Sequence, residues 1–302
     1  MSPLRRFATA TLGYTLAVIV WGGFVRASGS GAGCGRHWPL CNGVVVPTAP
    51  ASATLIEFAH RLTSGLALLL VVALAVWIYR THQPGHRVRR AAAWSMAFIV
   101  IEALIGAGLV LLGLVGDDSS SLRAIYLAGH LGNTFALLGA LTTTVLWIDQ
   151  AEPSPRAAPT GRLRTMTTWA LGLVLVVAMT GAITALGDTL FPTDSLREGP
   201  GQDGSATAHF LIRLRVIHPA LAVVSAIVVL LTASRALGAT HAPSTRTAAR
   251  WFGGLMVAQV TIGVINLWLL VPIATQLLHL LMADLVWIAG VALWHSAGRG
   301  VR

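Results

Sequence analysis

The sequence predicts an all-α integral membrane protein with eight transmembrane helices, arranged as two pseudo-symmetric four-helix bundles. Three observations predict it. Of 302 residues, 55% are hydrophobic and only 11% charged, with a mean hydropathy of +0.73, whereas a soluble domain carries roughly a quarter charged residues. Eight apolar segments are each long enough to cross a bilayer, which takes about 20 residues. The second half of the chain also repeats the first in register.

The segments run about 7–27, 59–80, 91–115, 125–148, 165–186, 209–234, 250–271 and 273–297. The start, Met1 to Arg6, is short and basic and leads straight into an apolar run, so it reads as a retained first helix rather than a cleaved signal. All basic residues are arginine, and they gather in alternate loops. Arg5 and Arg6 precede the first segment; Arg80, Arg87, Arg89 and Arg90 follow the second. Arg156, Arg162 and Arg164 follow the fourth, Arg235, Arg246 and Arg250 the sixth, and Arg299 and Arg302 the eighth. The positive-inside rule makes that side cytoplasmic, with both termini on it. It also accounts for the net charge of +10 without a nucleic-acid partner. Most acids (Asp117, Asp118, Asp188, Asp194, Glu198, Asp203) fall in the other loops.

A cytoplasmic linker at 151–159, with Pro153, Pro155 and Pro159, separates residues 1–150 from 160–302. His60 and His218 are 158 positions apart, and so are Gly23 and Gly181, Ala27 and Ala185, and Gly29 and Gly187. In the third segment of each half, Leu104-Ile105-Gly106 aligns with Thr261-Ile262-Gly263 at an offset of 157; His130 and His279 differ by 149. Four segments separate each pair, so the halves share one orientation, a parallel repeat about an axis along the membrane normal.

His60, His130, His218 and His279 lie on the second, fourth, sixth and eighth segments. His60 is read near the start of its helix, and His130 and His279 about five or six residues in, less than roughly 10 Å deep at 1.5 Å per residue. One such histidine is more often a packing or relay residue. Two per four-helix unit, in both copies, suit a bundle that holds a flat cofactor between facing helices, and neutral imidazole is an axial ligand for haem iron. The residues therefore read as two haem sites, His60 with His130 and His218 with His279. Zinc or copper would need further clustered ligands. His82, His86, His241 and His295 fall in or near cytoplasmic loops, and His209 opens the sixth segment.

The halves differ beside these histidines. Glu57, three residues before His60 and so on one helix face with it, has Arg215 as its repeat partner. A carboxylate beside a haem edge can act as general base, proton acceptor or cation stabiliser; the plain alternative is a helix N-terminal carboxylate favoured by the dipole. Arginine suits a haem propionate. The N-terminal half thus reads as reactive and the C-terminal half as structural or electron-transferring. The first external loop also holds both cysteines, Cys34 and Cys41. Outside the cytoplasm they can form a structural staple or act as a redox-active dithiol. Among intramembrane polar residues, Asn133 lies one turn from His130, and Glu102 and Asp284 read as proton-path or packing groups.

The chain resembles the haem A synthase family of bacteria. The carriers are Glu57-Phe58-x-His60-Arg61, the Cys34-x6-Cys41 loop with Trp38-Pro39-Leu40-Cys41-Asn42-Gly43, His130-Leu131-Gly132-Asn133-Thr134, Ile217-His218-Pro219 and Gln276-x-x-His279. The resemblance implies a plasma-membrane oxidoreductase that converts the C8 methyl of haem O to a formyl group, giving haem A for terminal oxidases. By that likeness His60 and His130 face the substrate haem, His218 and His279 hold a haem b cofactor, Glu57 is the essential carboxylate, and Cys34 and Cys41 form a disulfide. Arg61, Asn133 and Arg215 are candidates for contact with haem. Haem O synthase and oxidase assembly factors are the implied partners, and an oligomer is compatible with the family. Some members carry a second cysteine pair in the C-terminal half; this chain has none. A dihaem b-type electron-transfer protein shares the four histidines but needs neither Glu57 nor the cysteine loop. A repeat-built transporter would have helices broken near mid-membrane.

Overall fold

The computed structural model describes residues 1–48, 50–150, 161–192, 195, 208–238 and 242–297. The 151–159 linker, Arg156, Asp194, Glu198, Asp203, His241, Arg299 and Arg302 lie outside the described residues. Eight helices are long and apolar enough to cross a membrane: α1 Pro3–Ala27, α2 Ser52–Thr81, α3 Arg87–Leu111, α4 Ser121–Trp147, α5 Arg162–Leu190, α6 Phe210–Ala236, α7 Pro243–Trp268 and α8 Ile273–Ala297.

Local chemistry sets their ends. Ser2 caps α1 by accepting the Arg5 N–H, with Pro3 in the first turn. Ser120 caps α4 through the Arg123 N–H. Each cap satisfies a backbone donor that has no partner inside its helix. The Ser2 hydroxyl also donates to Asp149 at 2.6 Å. That bond, aided by the nearby Arg5, holds the Asp149 carboxyl below the usual carboxylate range. Between α7 and α8 the chain turns within four residues, with Leu270 and Val271 at positive φ. Gln276 braces the turn by donating its side-chain amide to the Val271 carbonyl at 2.8 Å.

The side chains are distributed as a bilayer requires. Leu62, Leu66, Leu69, Val223, Ile227 and Val264 face outward, while Thr11, Thr15, Ser95, Thr144, Thr167 and Thr232 are buried. The buried hydroxyls bond to carbonyls of their own helices, as in Thr15 to Thr11 and Thr167 to Leu163. Small and hydroxylated residues let backbones approach where lipid gives no hydrophobic drive to association. Each half closes a ring: α1–α2–α3–α4 back to α1, and α5–α6–α7–α8 back to α5. The rings meet where α1 and α4 pack on α8 and α4 packs on α5. At that seam Arg26 of α1 donates to the Ala185 carbonyl (2.8 Å) and Thr189 hydroxyl (2.7 Å) of α5, and to Gln276 Oε1 of α8 (2.8 Å).

One boundary moves the site. The apolar run suggests α2 starts near residue 59, whereas the helix begins at Ser52. Its first two turns carry Ser52, Thr54 and Glu57, which interrupt the apolar run, and Thr54 and Glu57 are buried beneath the first loop. His60 is therefore the ninth residue of its helix, not one near its start. It stands level with His130, the tenth of α4, and His218, the ninth of α6, while His279 is the seventh of α8.

Candidate functional site

Three of the four histidine rings lie against a glycine on the neighbouring helix. A Cβ built on Gly22 of α1 would stand 2.9 Å from His60 Cε1. One on Gly181 of α5 would stand 2.9 Å from His218 Cε1, and one on Gly263 of α7 would stand 2.9 Å from His279 Cε1. Contacts that close are essentially absent from real side chains, so these glycines are where the helix surface is hollowed to admit an imidazole. The sequence register pairs Gly181 with Gly23, but the glycine that meets His60 is Gly22; Gly23 packs on Leu277 and Leu280 of α8.

In the C-terminal half, His218 Nδ1 reaches the Val177 carbonyl at 3.0 Å. A carbonyl only accepts, so Nδ1 carries the proton and Nε2 keeps a free lone pair. The His218 and His279 ring centroids are 6.3 Å apart. A metal–imidazole bond of about 2 Å sets a ring centre roughly 3 Å from the metal, so one iron between two rings fits this spacing. His279 Nε2 meets the side-chain amide of Gln259 at 3.2 Å, and its Nδ1 is buried without a partner. In the N-terminal half, His60 Nδ1 is likewise buried without a partner, and His130 stands within its electrostatic range. Four imidazoles at similar depth, three seated on glycines and three (His60, His130 and His279) with a buried nitrogen lacking a partner, would suit two haem irons. Among the described residues no group of three or more His, Cys, Asp and Glu is placed to hold a metal ion by itself.

Glu57 is 4% exposed and its carboxylate is fixed at both oxygens. Arg61 donates to Oε1 through Nε at 3.1 Å and Nη2 at 2.5 Å, and the Cys34 N–H donates to Oε2 at 2.8 Å. Arg61 Nη1 also donates to the His37 and Leu40 carbonyls at 2.6 Å each, so one guanidinium ties the loop to α2. Cys34 and Cys41 are bonded in a disulfide and buried. Gly33 presses on the α2 backbone so closely that a Cβ would stand 2.4 Å from the Ala53 carbonyl carbon. The loop is thus a cap over the outer end of α2, with the carboxylate beneath it.

The equivalent place in the other half has the opposite chemistry. Arg215, 8% exposed, pairs through Nε with Asp188 at 2.9 Å and donates through Nη2 to the Gly187 and Phe191 carbonyls. Asn133 gives its amide hydrogens to the Phe98 carbonyl at 2.9 Å and to Glu102 Oε2 at 2.5 Å. Arg61, Asn133 and Arg215 all carry protein partners in this state. The seating glycines, Asp188, the Val177 carbonyl and the contact of Glu102 with His130 escaped the sequence reading. The repeat register of the glycines was the one available hint.

A family model described as COX15-CtaA, cytochrome oxidase assembly protein, matches residues 5–291. Two relatives from strains of Thermus thermophilus, both described as protoheme IX farnesyltransferase, are 43% and 42% identical over 296 residues, covering 98% of this chain and 48% of each relative. The chain therefore spans about half the length of those relatives. A heme A synthase from Symbiobacterium thermophilum is 34% identical over 295 residues, 92% of this chain and 90% of its own length. Another, from Halalkalibacterium halodurans, is 31% identical over 220 residues, 70% of each chain.

Proposed function

The chain belongs to the haem A synthase family of cytochrome oxidase assembly proteins, and from that membership we propose that it oxidises the C8 methyl of haem O to a formyl group, giving haem A for terminal oxidases. The observation that carries this reading is the asymmetry of two otherwise matching halves. Both present histidines in a common layer, but only one sets a buried carboxylate three residues from its histidine, beneath a disulfide-closed loop. The other puts the Arg215–Asp188 pair there.

In this reading His60 and His130 face the substrate haem, and His218 and His279 hold haem b. When bound, haem O would supply the methyl group and water the formyl oxygen (R–CH3 + H2O → R–CHO + 4 H+ + 4 e−), and the haems would relay the electrons to an external acceptor. The protein supplies the rest. Turning a methyl into a formyl group releases protons, and Glu57 is the base placed to accept one; a positioned general base contributes typically 10²–10⁴-fold. Arg61 and the Cys34 N–H keep the carboxylate from rotating away. The disulfide-closed loop keeps bulk water from this end of α2. Arg215, engaged by Asp188, offers no base in the other half.

The farnesyl chain of haem O needs a largely apolar surface, and an open groove between α3 and α4, with Arg90 and Thr143 among its lining, supports a place for it there. The groove, of about 520 Å³, is also lined by Trp94, Phe98, Ala136, Gly139, Ala140 and Trp147, on the same two helices as Glu102 and His130. At the repeat offset of 149 the C-terminal half has Leu285 and Ile288 in place of Ala136 and Gly139, bulk that suits a haem without a tail. Ala136→Leu is expected to raise the KM for haem O about tenfold or more while leaving haem b content unchanged. Equal KM values in steady-state assays would remove the groove from the reading.

The seating glycines give a second test. Gly181→Ala is expected to push the His218 ring aside and lower haem b occupancy, measured by pyridine haemochrome against protein. Gly172→Ala, on the same helix with nothing within 4 Å, should keep full occupancy and add about 0.5–1 kcal/mol of stability.

The name of the Thermus relatives, half of whose length lies outside the match, supports a farnesylated haem as substrate and a haem O synthase as partner. The arginine distribution supports cytoplasmic placement of both ends of the helix bundle, and the bacterial relatives support a bacterial membrane. The deciding experiment is haem extraction and chromatography on protein from cells that also make haem O. Haem A or a hydroxylated haem O supports the oxidation; haem b alone, at two per chain, favours a dihaem electron carrier instead.

A further inference from the structure

Resting on the reading that His130 faces the substrate haem as its axial ligand, we propose that Glu102 is the positioning residue for that histidine, taking its Nδ1–H and setting the reduction potential of the haem held there. Glu102 lies on α3, and its Oε1 stands 3.3 Å from His130 Nδ1. As the ring stands this buried nitrogen has no hydrogen-bond partner, and Glu102 Oε1 is the carboxylate oxygen within reach of it once the ring turns to take up a ligand. Metal-binding histidines almost always give their second N–H to such a partner, which fixes the tautomer and raises the basicity of the ligating nitrogen.

The carboxylate is itself held in place. The Thr134 hydroxyl lies 2.5 Å from Oε1 and 2.9 Å from the His130 carbonyl, so its one hydrogen is shared between the two, and the Asn133 amide donates to Oε2 at 2.5 Å. Both donors come from the α4 turn that follows His130, so ring and carboxylate are fixed by the same few residues. Donors on both oxygens hold the side chain in one orientation beside the ring. Asp284 of α8, fully buried, is a further carboxyl within electrostatic range.

The repeat supplies the contrast. At the offset of 157, Glu102 corresponds to Gln259, which also meets its half's fourth-helix histidine. Gln259 is neutral, and its amide nitrogen lies 3.2 Å from Nε2 of His279, not from Nδ1. The glycines differ as well: Gly263 seats His279, whereas a Cβ on the equivalent Gly106 would meet nothing within 4 Å. His279 is therefore placed by a glycine hollow, and His130 by a charged partner that leaves Nε2 clear. An anionic acceptor on Nδ1 favours the oxidised iron, so the two haems would differ in potential for a reason built into α3 and α7.

The test is spectroelectrochemical titration of the full-length protein purified from cells that make haem O, with His130→Ala identifying which spectral component belongs to the N-terminal half. Glu102→Gln keeps the shape and is expected to shift that component toward the reduced form by about tenfold in its equilibrium, about 59 mV for one electron, leaving the other component in place. Thr134→Val should move the same component the opposite way, because a carboxylate deprived of that donor pulls harder on His130. A merely structural link between α3 and α4 would not give opposite signs. If both variants fold and leave the potential unmoved while His130→Ala removes the component, the proposal is overturned and the haem reading stands. If His130→Ala removes no component, the ligand reading falls and the proposal with it. Should Glu102→Gln fail to fold, the sign of the Thr134→Val shift alone decides.

Discussion

Glu57→Gln is expected to stop haem A formation, with haem O accumulating on the purified protein and the rate falling about 10²–10⁴-fold, the range for a positioned general base. Glutamine keeps the shape of the side chain and can still accept from the Cys34 N–H, but it takes up no proton. The change also leaves the Arg61 guanidinium without its carboxylate, although the His37 and Leu40 carbonyls still hold Nη1. Removing one partner of a buried ion pair typically costs about 3–5 kcal/mol, so Glu57→Ala, which adds a cavity, is the harsher variant. Folding and chemistry separate in one assay, because the proposed haem b ligands, His218 and His279, lie on other helices. A variant with full haem b, bound haem O and no haem A isolates the loss to the carboxylate. Haem A at the wild-type rate would remove Glu57 from the mechanism.

His218→Ala and His279→Ala are each expected to strip haem b, lowering haem per chain by one, with affinity down by more than about 100-fold. Loss of an outer-shell partner alone costs 10–100-fold, and a ligand matters more. The basis is the free Nε2 of His218, fixed by the Val177 carbonyl, and the 6.3 Å between the two rings. His60→Ala should instead spare haem b and weaken retention of haem O. Pyridine haemochrome ratios with chromatography of the extracted haems distinguish the two sites. Unchanged haem b in both C-terminal variants would mean that these histidines are packing residues.

The resemblance to haem A synthases could be read from short motifs, and the family model bears it out over 5–291. The eight helices were equally legible, because a bilayer imposes its thickness on every apolar run. Boundaries failed where polar residues are buried by protein rather than lipid: hydropathy cannot tell that Glu57 lies under a loop, so α2 was read seven residues too short. Partners across helices were also hidden. Arg215 and Glu57 occupy equivalent positions, but that Arg215 pairs with Asp188 and Glu57 with Arg61 depends on how the helices are rotated about their axes.

The sequence by itself determined the class of fold and singled out the internal register and four histidines as candidates, because these follow from composition, period and spacing along one chain. Only the tertiary structure decided that Gly22, Gly181 and Gly263 are the seats of three rings, that the Cys34–Cys41 loop clamps Glu57, and that His130 has Glu102 where His279 has Gln259. The physical reason is that hydrophobic length is a property of one helix, whereas a hydrogen bond or a hollow for an imidazole exists only between two helices whose rotation and depth have been set by packing.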